Sequence, residues 1–191
     1  VYDGSDYAIT GAVLPLFNYI KGTNGNDSQV KNINITSNVG TAEAAYRADN
    51  LTIAQSANAS GAGLVANYAH QAVFSDCVIS GTLYASGNTG VGSLVGHSGT
   101  ITVVSGAETT SDAQVTNCSF TGKMNITAVN SNAAAGGIIG MSFPQNAVYN
   151  NCTVGSDAAF SLPDTVAKSI CVGGIIGCLV RHAEINGTVS A

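Results

Sequence analysis

Hydrophobic and polar positions in this chain recur in blocks. In "QVTNCSFTGKM" (114–124) apolar side chains stand at Val115, Cys118, Phe120 and Met124, with polar or small residues between them. "QVKNINITSNV", "AVFSDCVISGTL", "VYNNCTVGSDA" and "VRHAEINGTV" follow the same pattern. Aligning Ile33, Cys77, Cys118, Cys152 and Ala183 as one column puts Val30, Phe74, Val115, Tyr149 and Val180 three residues before it. Immediately before it stand Asn32, Asp76, Asn117, Asn151 and His182. Two after it come Ile35, Ile79, Phe120, Val154 and Ile185, all apolar. The places four after it are small (Ser37, Gly81, Gly122, Ser156, Gly187), and those six after it are apolar (Val39, Leu83, Met124, Ala158, Val189). Alternation with period two marks short strands with one face inward. The small residue breaks that alternation, as a bend or a close backbone approach would.

Each block has an apolar pair upstream: Leu16-Phe17, Leu64-Val65, Leu94-Val95, Ile138-Ile139 and Ile175-Ile176, mostly set among Gly, Ala and Ser. Two of them read Gly-Gly-Ile-Ile-Gly, at 136–140 and 173–177. The aligned positions are 44, 41, 34 and 31 residues apart, so the strands are constant and the loops vary. "TAEAAYRADN" (41–50) is expected to form a helical turn or two.

Coils stacked about 4.8 Å apart would place like residues over like. Cysteines would then form an inner ladder, and Asn or Asp a ladder of amides at the bend. Glycines would let backbones approach and adopt positive φ at corners. The fold class expected is all-β, a parallel β-helix or β-solenoid of about five irregular coils forming a single repeat domain over 1–191. Its core would be roughly 24 Å long. Solenoid ends are normally capped, and no amphipathic capping helix is legible at either end. "VYDGSDYAIT" is already strand-like, so the chain reads as a fragment or mature part of a longer protein.

Composition narrows the function classes. Charged residues make up 9% of the chain against 45% hydrophobic, which argues against disorder. The net charge is −5, and Lys21, Lys31, Arg47, Lys123, Lys168 and Arg181 are scattered. No nucleic-acid partner is expected, because neutralising phosphates needs clustered cations. No apolar run approaches the roughly 20 residues of a membrane span, so membrane insertion is not expected. Five cysteines leave at least one thiol unpaired within the chain. Cys118 and Cys152 read as inward ladder residues, and a disulfide between Cys171 and Cys178 is left open.

The glycine–large apolar–valine–glycine strand followed by Asn-Cys, a small residue and Gly-x-Val resembles the GLUG motif. The matching positions are Gly63 to Ala66, Ser93 to Gly96, Gly137 to Gly140 and Gly174 to Gly177. Each is followed by its second strand, at Asp76-Cys77, Asn117-Cys118, Asn151-Cys152 and His182-Ala183. Pro15 to Asn18 with Asn32-Ile33 departs most from the pattern. The resemblance implies a right-handed β-helix-like domain, secreted or at the bacterial cell surface, of a kind found in adhesins. It brings no catalytic residues with it.

Candidate chemistry is sparse. β-Helix enzymes acting on acidic polysaccharides need clustered carboxylates. The eleven acids here are dispersed, and Asp76 is the only one in a repeat column, with Asp112 the other candidate worth testing. His70, His97 and His182 lack metal-ligand spacing. "GAGLVA" (61–66) loosely fits a dinucleotide motif but recurs in altered form, so it reads as a repeat strand. Tyr19, Tyr46 and Tyr68 are the candidate sugar-stacking platforms. No catalytic, metal or cofactor residues are expected. The function expected is a non-enzymatic extracellular repeat domain of an adhesin-like surface protein. It would present loops to a host glycan or protein, or serve as a rigid spacer. The alternatives are a structural subunit that self-associates end to end, or joins flanking domains of the same polypeptide, and a polysaccharide-acting β-helix enzyme.

Overall fold

The structure, a computed structural model, describes residues 1–22, 28–47, 60–99, 102–104, 107–109, 112–143, 146–163, 170–179 and 183–186. The chain winds repeatedly through four parallel sheets. Sheet I holds Tyr2–Asp3, Ser28–Lys31, Ala72–Ser75, Asp112–Thr116, Asn146–Asn150 and Ala183–Asn186. Sheet II holds Ala8–Thr10, Asn34–Thr36, Val78–Ile79, Ser119–Phe120 and Thr153–Val154. Sheet III is built on the long strands Thr82–Gly92 and Lys123–Gly136, joined by Asn38–Val39, Gly61–Gly63, Ala159–Ser161 and Ile170–Gly173. Sheet IV holds Phe17–Lys21, Ala66–His70, Val95–Ser98, Ile139–Ser142 and Ile176–Leu179. This is a β-solenoid. Among the described residues the antiparallel pairing is a hairpin, Thr102–Val104 with Ala107–Thr109.

The bend between sheets I and II explains the Asn column. Asn32, Asp76, Asn117 and Asn151 all have positive φ, from 50° to 55°. The left-handed conformation costs most L-residues about 1–2 kcal/mol, and Asn and Asp tolerate it best because a short polar side chain can bond locally. Their side chains also tie the coils together. Asn117 Nδ2 donates to Asp76 Oδ1 at 3.0 Å, and Asn151 Nδ2 donates to Asn117 Oδ1 at 3.3 Å. Asn32 reaches the other way, donating to Asp3 Oδ1 at 2.9 Å. The positive φ expected of corner glycines is found at Gly11, Gly40 and Gly99, with φ of 73°, 73° and 74°, and this ladder adds four non-glycine residues to them.

Inside the coil, Cys77, Cys118 and Cys152 follow Ile33 as a fully buried column. Each thiol donates to the carbonyl two residues back, on Ser75, Thr116 and Asn150, at 3.3, 3.4 and 3.6 Å. The flanking columns share out volume. Phe74 is paired in its coil with Ile79, Val115 with Phe120, and Tyr149 with Val154, so a large ring in one column accompanies a smaller side chain in the other. Register keeps these residues stacked, with Val30, Phe74, Val115 and Tyr149 on one another and Ile35, Ile79, Phe120 and Val154 likewise. The alternation lets successive coils interdigitate at ordinary interior density.

Gly-Gly-Ile-Ile-Gly is the corner between sheets III and IV. Gly63, Gly92, Gly136 and Gly173 stack in one column. A Cβ on Gly92 would strike the Val95 carbonyl and the nitrogen of Gly140, and one on Gly140 would strike Val91 N and Gly96 O. Gly96 lies equally close to Ala62 and Gly61. The strands on either side of the Ile-Ile corner therefore meet backbone to backbone. The small column at the next bend follows the same rule, since a Cβ on Gly81 would strike the Ser37 carbonyl of the coil before it.

Several alignments need correction. Ile185, not Val180, stands over Tyr149, and Ala183 pairs with Ala147, so the last row is shifted by five residues from the expected register. Its loop is longer than the spacing implied. Phe160, not Ala158, stands over Met124, because Ser156 and Asp157 are inserted at a turn. Ala66, not Val65, pairs with Val95 and Phe17, because the glycine column sets the register there. A further stretch of coil, Tyr2–Thr10, precedes the five expected rows: Tyr2 lies on Val30 and Ile9 on Ile35. Residues 41–47 form no helical turn, and Tyr46 makes a parallel bridge to Ala85; 48–50 lie outside the described residues.

The corner yields a sharp contrast. Gly96→Ala should destabilise the fold by more than about 4 kcal/mol, since backbone must move. Gly155→Ala meets mainly the Thr121 methyl, at 2.8 Å, and should cost about 1 kcal/mol or less. Urea unfolding of both variants checks this, and equal losses would contradict the backbone contact.

Candidate functional site

Connections from sheet IV to sheet I all leave the coil at one corner, and their lengths differ widely. Gln71 alone, with φ of 48°, joins Ala66–His70 to Ala72–Ser75. The equivalent connection in the next coil runs from 99 to 111, thirteen residues, and contains the hairpin. Backbone register is restored beyond each: Ala72 and Ala113 pair directly. The corner can thus carry inserts without disturbing the core.

An aromatic column approaches this corner along sheet IV. Tyr19, Tyr68, His97, Met141 and Cys178 stack in register. The Tyr19 and Tyr68 rings meet edge-on at 6.5 Å, and Tyr68 and His97 are 6.1 Å apart. Phe143, at the mouth of its connection, stacks on His97 at 4.7 Å and 19°. His97 is buried, and its Nδ1 has no hydrogen-bond partner. Burial holds its pKa down, to about 4, so the imidazole is neutral at ordinary pH. Two positions further, Lys21 pairs with His70, whose pKa is lowered by burial and then by the Lys21 charge. Inside the same corner Ser142 Oγ and Tyr149 OH lie 2.7 Å apart, and burial pushes the Tyr149 phenol up to about 12.

Of the three tyrosines singled out as sugar platforms, burial removes Tyr68 from the surface and leaves Tyr19 and Tyr46 half-buried. Tyr68 is fully buried, and Tyr19 is half-buried against it. Tyr46 OH accepts from Asn67 Nδ2 at 2.6 Å. Asn67 also donates to Asn18 Oδ1 at 3.0 Å and accepts from Gly63 N at 3.4 Å. It lies in a column with Asn18 before it and Gly96, Gly140 and Gly177 after it, which no spacing rule would have singled out.

The carboxylate candidates are kept apart. Asp76 is level with Asn117, five residues beyond Asp112, so the backbones of Asp76 and Asp112 are separated by roughly 16 Å along the strand direction. Asp3 is tied down at the first coil by Asn32, the Ser5 amide and Lys31, the last at 3.1 Å, and these hold its pKa down to about 2. Among the described residues no group of three or more His, Cys, Asp or Glu could hold a metal ion. Cys171 and Cys178 are free thiols in hydrogen-bond contact, and burial raises the Cys178 pKa. "GAGLVA" forms a repeat strand, Gly61–Gly63, and its corner. His182 lies outside the described residues.

His97 makes the fold pH-dependent. Its folded pKa of about 4 lies below the unfolded value near 6.5, so protonation favours unfolding. Its contribution is full above pH 6.5, falls as the pH drops toward 4 and then levels off, a loss of about 3 kcal/mol in all. Melting temperatures of the parent and of His97→Phe between pH 7 and 4 check this. The variant should lose this part of the slope, and parallel curves would contradict it.

A scan against protein-family models finds no match, and searches of curated proteins and of solved structures find none either.

Proposed function

We propose that this chain is a non-enzymatic, extracellular repeat domain of an adhesin-like bacterial surface protein, which presents variable loops on a stiff solenoid to a glycan or protein ligand. One observation carries the reading: the coil keeps its register while it accepts connections of very different length, from one residue to thirteen between sheets IV and I and up to twenty-one, residues 40–60, within sheet III. Binding scaffolds use that division, since loops tolerate change while the elements that hold them do not. The GLUG resemblance supports the same reading, through residues whose places in the coil are the glycine corner and the Asn-Cys bend. The separation of Asp76 from Asp112 speaks against the polysaccharide-cleaving alternative.

The test is binding of the 1–191 chain to arrays of glycans and extracellular-matrix proteins. It is repeated with residues 99–111 replaced by a single Gln, as at Gln71. Binding should fall at least tenfold in the shortened variant while its circular dichroism and melting stay close to the parent's. Turnover of a uronic-acid polymer, or binding indifferent to loop replacement, would overturn the proposal.

A further inference from the structure

We infer that Cys171 and Cys178 join in a disulfide that locks the second Gly-Gly-Ile-Ile-Gly corner. The two thiols lie on the strands Ile170–Gly173 and Ile176–Leu179, one on either side of that corner. Their columns face each other. Cys171 follows Gly61, Gly90 and Ala134 in sheet III, and Cys178 follows Tyr68, His97 and Met141 in sheet IV. A Cβ on Gly61 would stand 2.9 Å from the Cβ of His97, and one on Gly90 3.3 Å from that of Met141, each time one coil on. Side chains of the two columns therefore meet across the corner. Cys171 and Cys178 share a coil, and their thiols are in hydrogen-bond contact. A disulfide needs Cβ atoms about 3.5–4.5 Å apart and turned toward each other, which facing columns supply.

The sizes along the columns point the same way. Earlier coils set one small residue against one large one: Gly61 with Tyr68, Gly90 with His97, Ala134 with Met141. This coil sets two residues of equal size there, and both carry a thiol. The ladder thiols are placed differently. Cys77, Cys118 and Cys152 are fully buried, and each already donates to a carbonyl, so a dissolved oxidant does not reach them. Cys171 is exposed and Cys178 half-buried. The pairing does not depend on where the solenoid stops. Both sulfurs belong to one coil, and a further coil stacked on it would leave them side by side. It is also independent of the ligand role, since any oxidising medium suffices.

The co-reactant is a small-molecule disulfide such as oxidised glutathione. The Cys171 thiolate attacks one of its sulfurs and expels a thiolate, which leaves a mixed disulfide. The Cys178 thiolate then attacks the Cys171 sulfur and expels the second. Two protein thiols are oxidised to one disulfide, and their two protons go to the two thiolates released. The small disulfide is reduced to two thiols.

The test adds oxidised glutathione to the reduced, folded 1–191 chain, which is then unfolded, alkylated and cut with trypsin. Cleavage after Lys168 and Arg181 leaves both cysteines in the peptide 169–181. That peptide should escape alkylation, be lighter than its reduced form by two hydrogens, and regain both thiols with dithiothreitol. Cys77, Cys118 and Cys152 should all be alkylated. Cys178→Ser should stop at the mixed disulfide on Cys171. Closure should run roughly tenfold faster or more in the folded chain than in urea, because the corner holds the thiols together. Equal rates would show that nearness in sequence, not the corner, makes the link, and would overturn the inference. So would glutathione that stays on the parent chain, a link to a ladder cysteine, or two thiols that do not react.

Discussion

Each coil can lie on the next only if its tight corners close with nothing wedged between them. Between sheets III and IV that requirement is met by removing side chains. Gly92 and Gly140 are so close that a single methyl on either would meet backbone. Between sheets I and II it is met by conformation, through four left-handed Asn or Asp residues whose side chains also join coil to coil. The two solutions differ chemically but serve one end. They hold the hydrogen-bonded distance between coils constant, and the inner columns depend on that constancy.

Once the spacing is fixed, the core follows. Cysteine suits the inner column because it is small, apolar and able to donate weakly to a nearby carbonyl. Phe74, Phe120 and Tyr149 alternate between columns, so no two coils press the largest rings onto the same place. Variation is then displaced to the connections. A corner can carry Gln71 or a hairpin, because the strands on either side regain register through hydrogen bonds and columns that the insert does not enter.

Much of this was legible in the chain. The Asn-Cys steps and apolar offsets placed sheets I and II almost residue for residue, because period-two burial and a repeated bend leave strong marks. The errors arose where the marks were ambiguous. Val180 and Ile185 both fit an apolar slot, and a hidden loop of unknown length cannot be measured by spacing. Leu64-Val65 looked like Leu94-Val95 as a pair, yet Gly63 and Gly92 were the true anchors. The first coil has neither Cys nor Asn at its bend, so its strand-like opening, "VYDGSDYAIT", could not be placed in the repeat columns. Tyr19 and Tyr68 stood out as candidate platforms because they fall outside the aligned columns, and the strand after the corner is short and rich in small residues. The corner loops held even less information, since a connection's length says nothing of what it touches.

The most direct measurement is a cross-strand proton contact map by nuclear magnetic resonance. Amide-to-α-proton contacts should link Asn34 to Val78, Val78 to Ser119 and Ser119 to Thr153, each pair in parallel register. Contacts that join these strands antiparallel, or leave any neighbouring pair unconnected, would contradict the stacked coil.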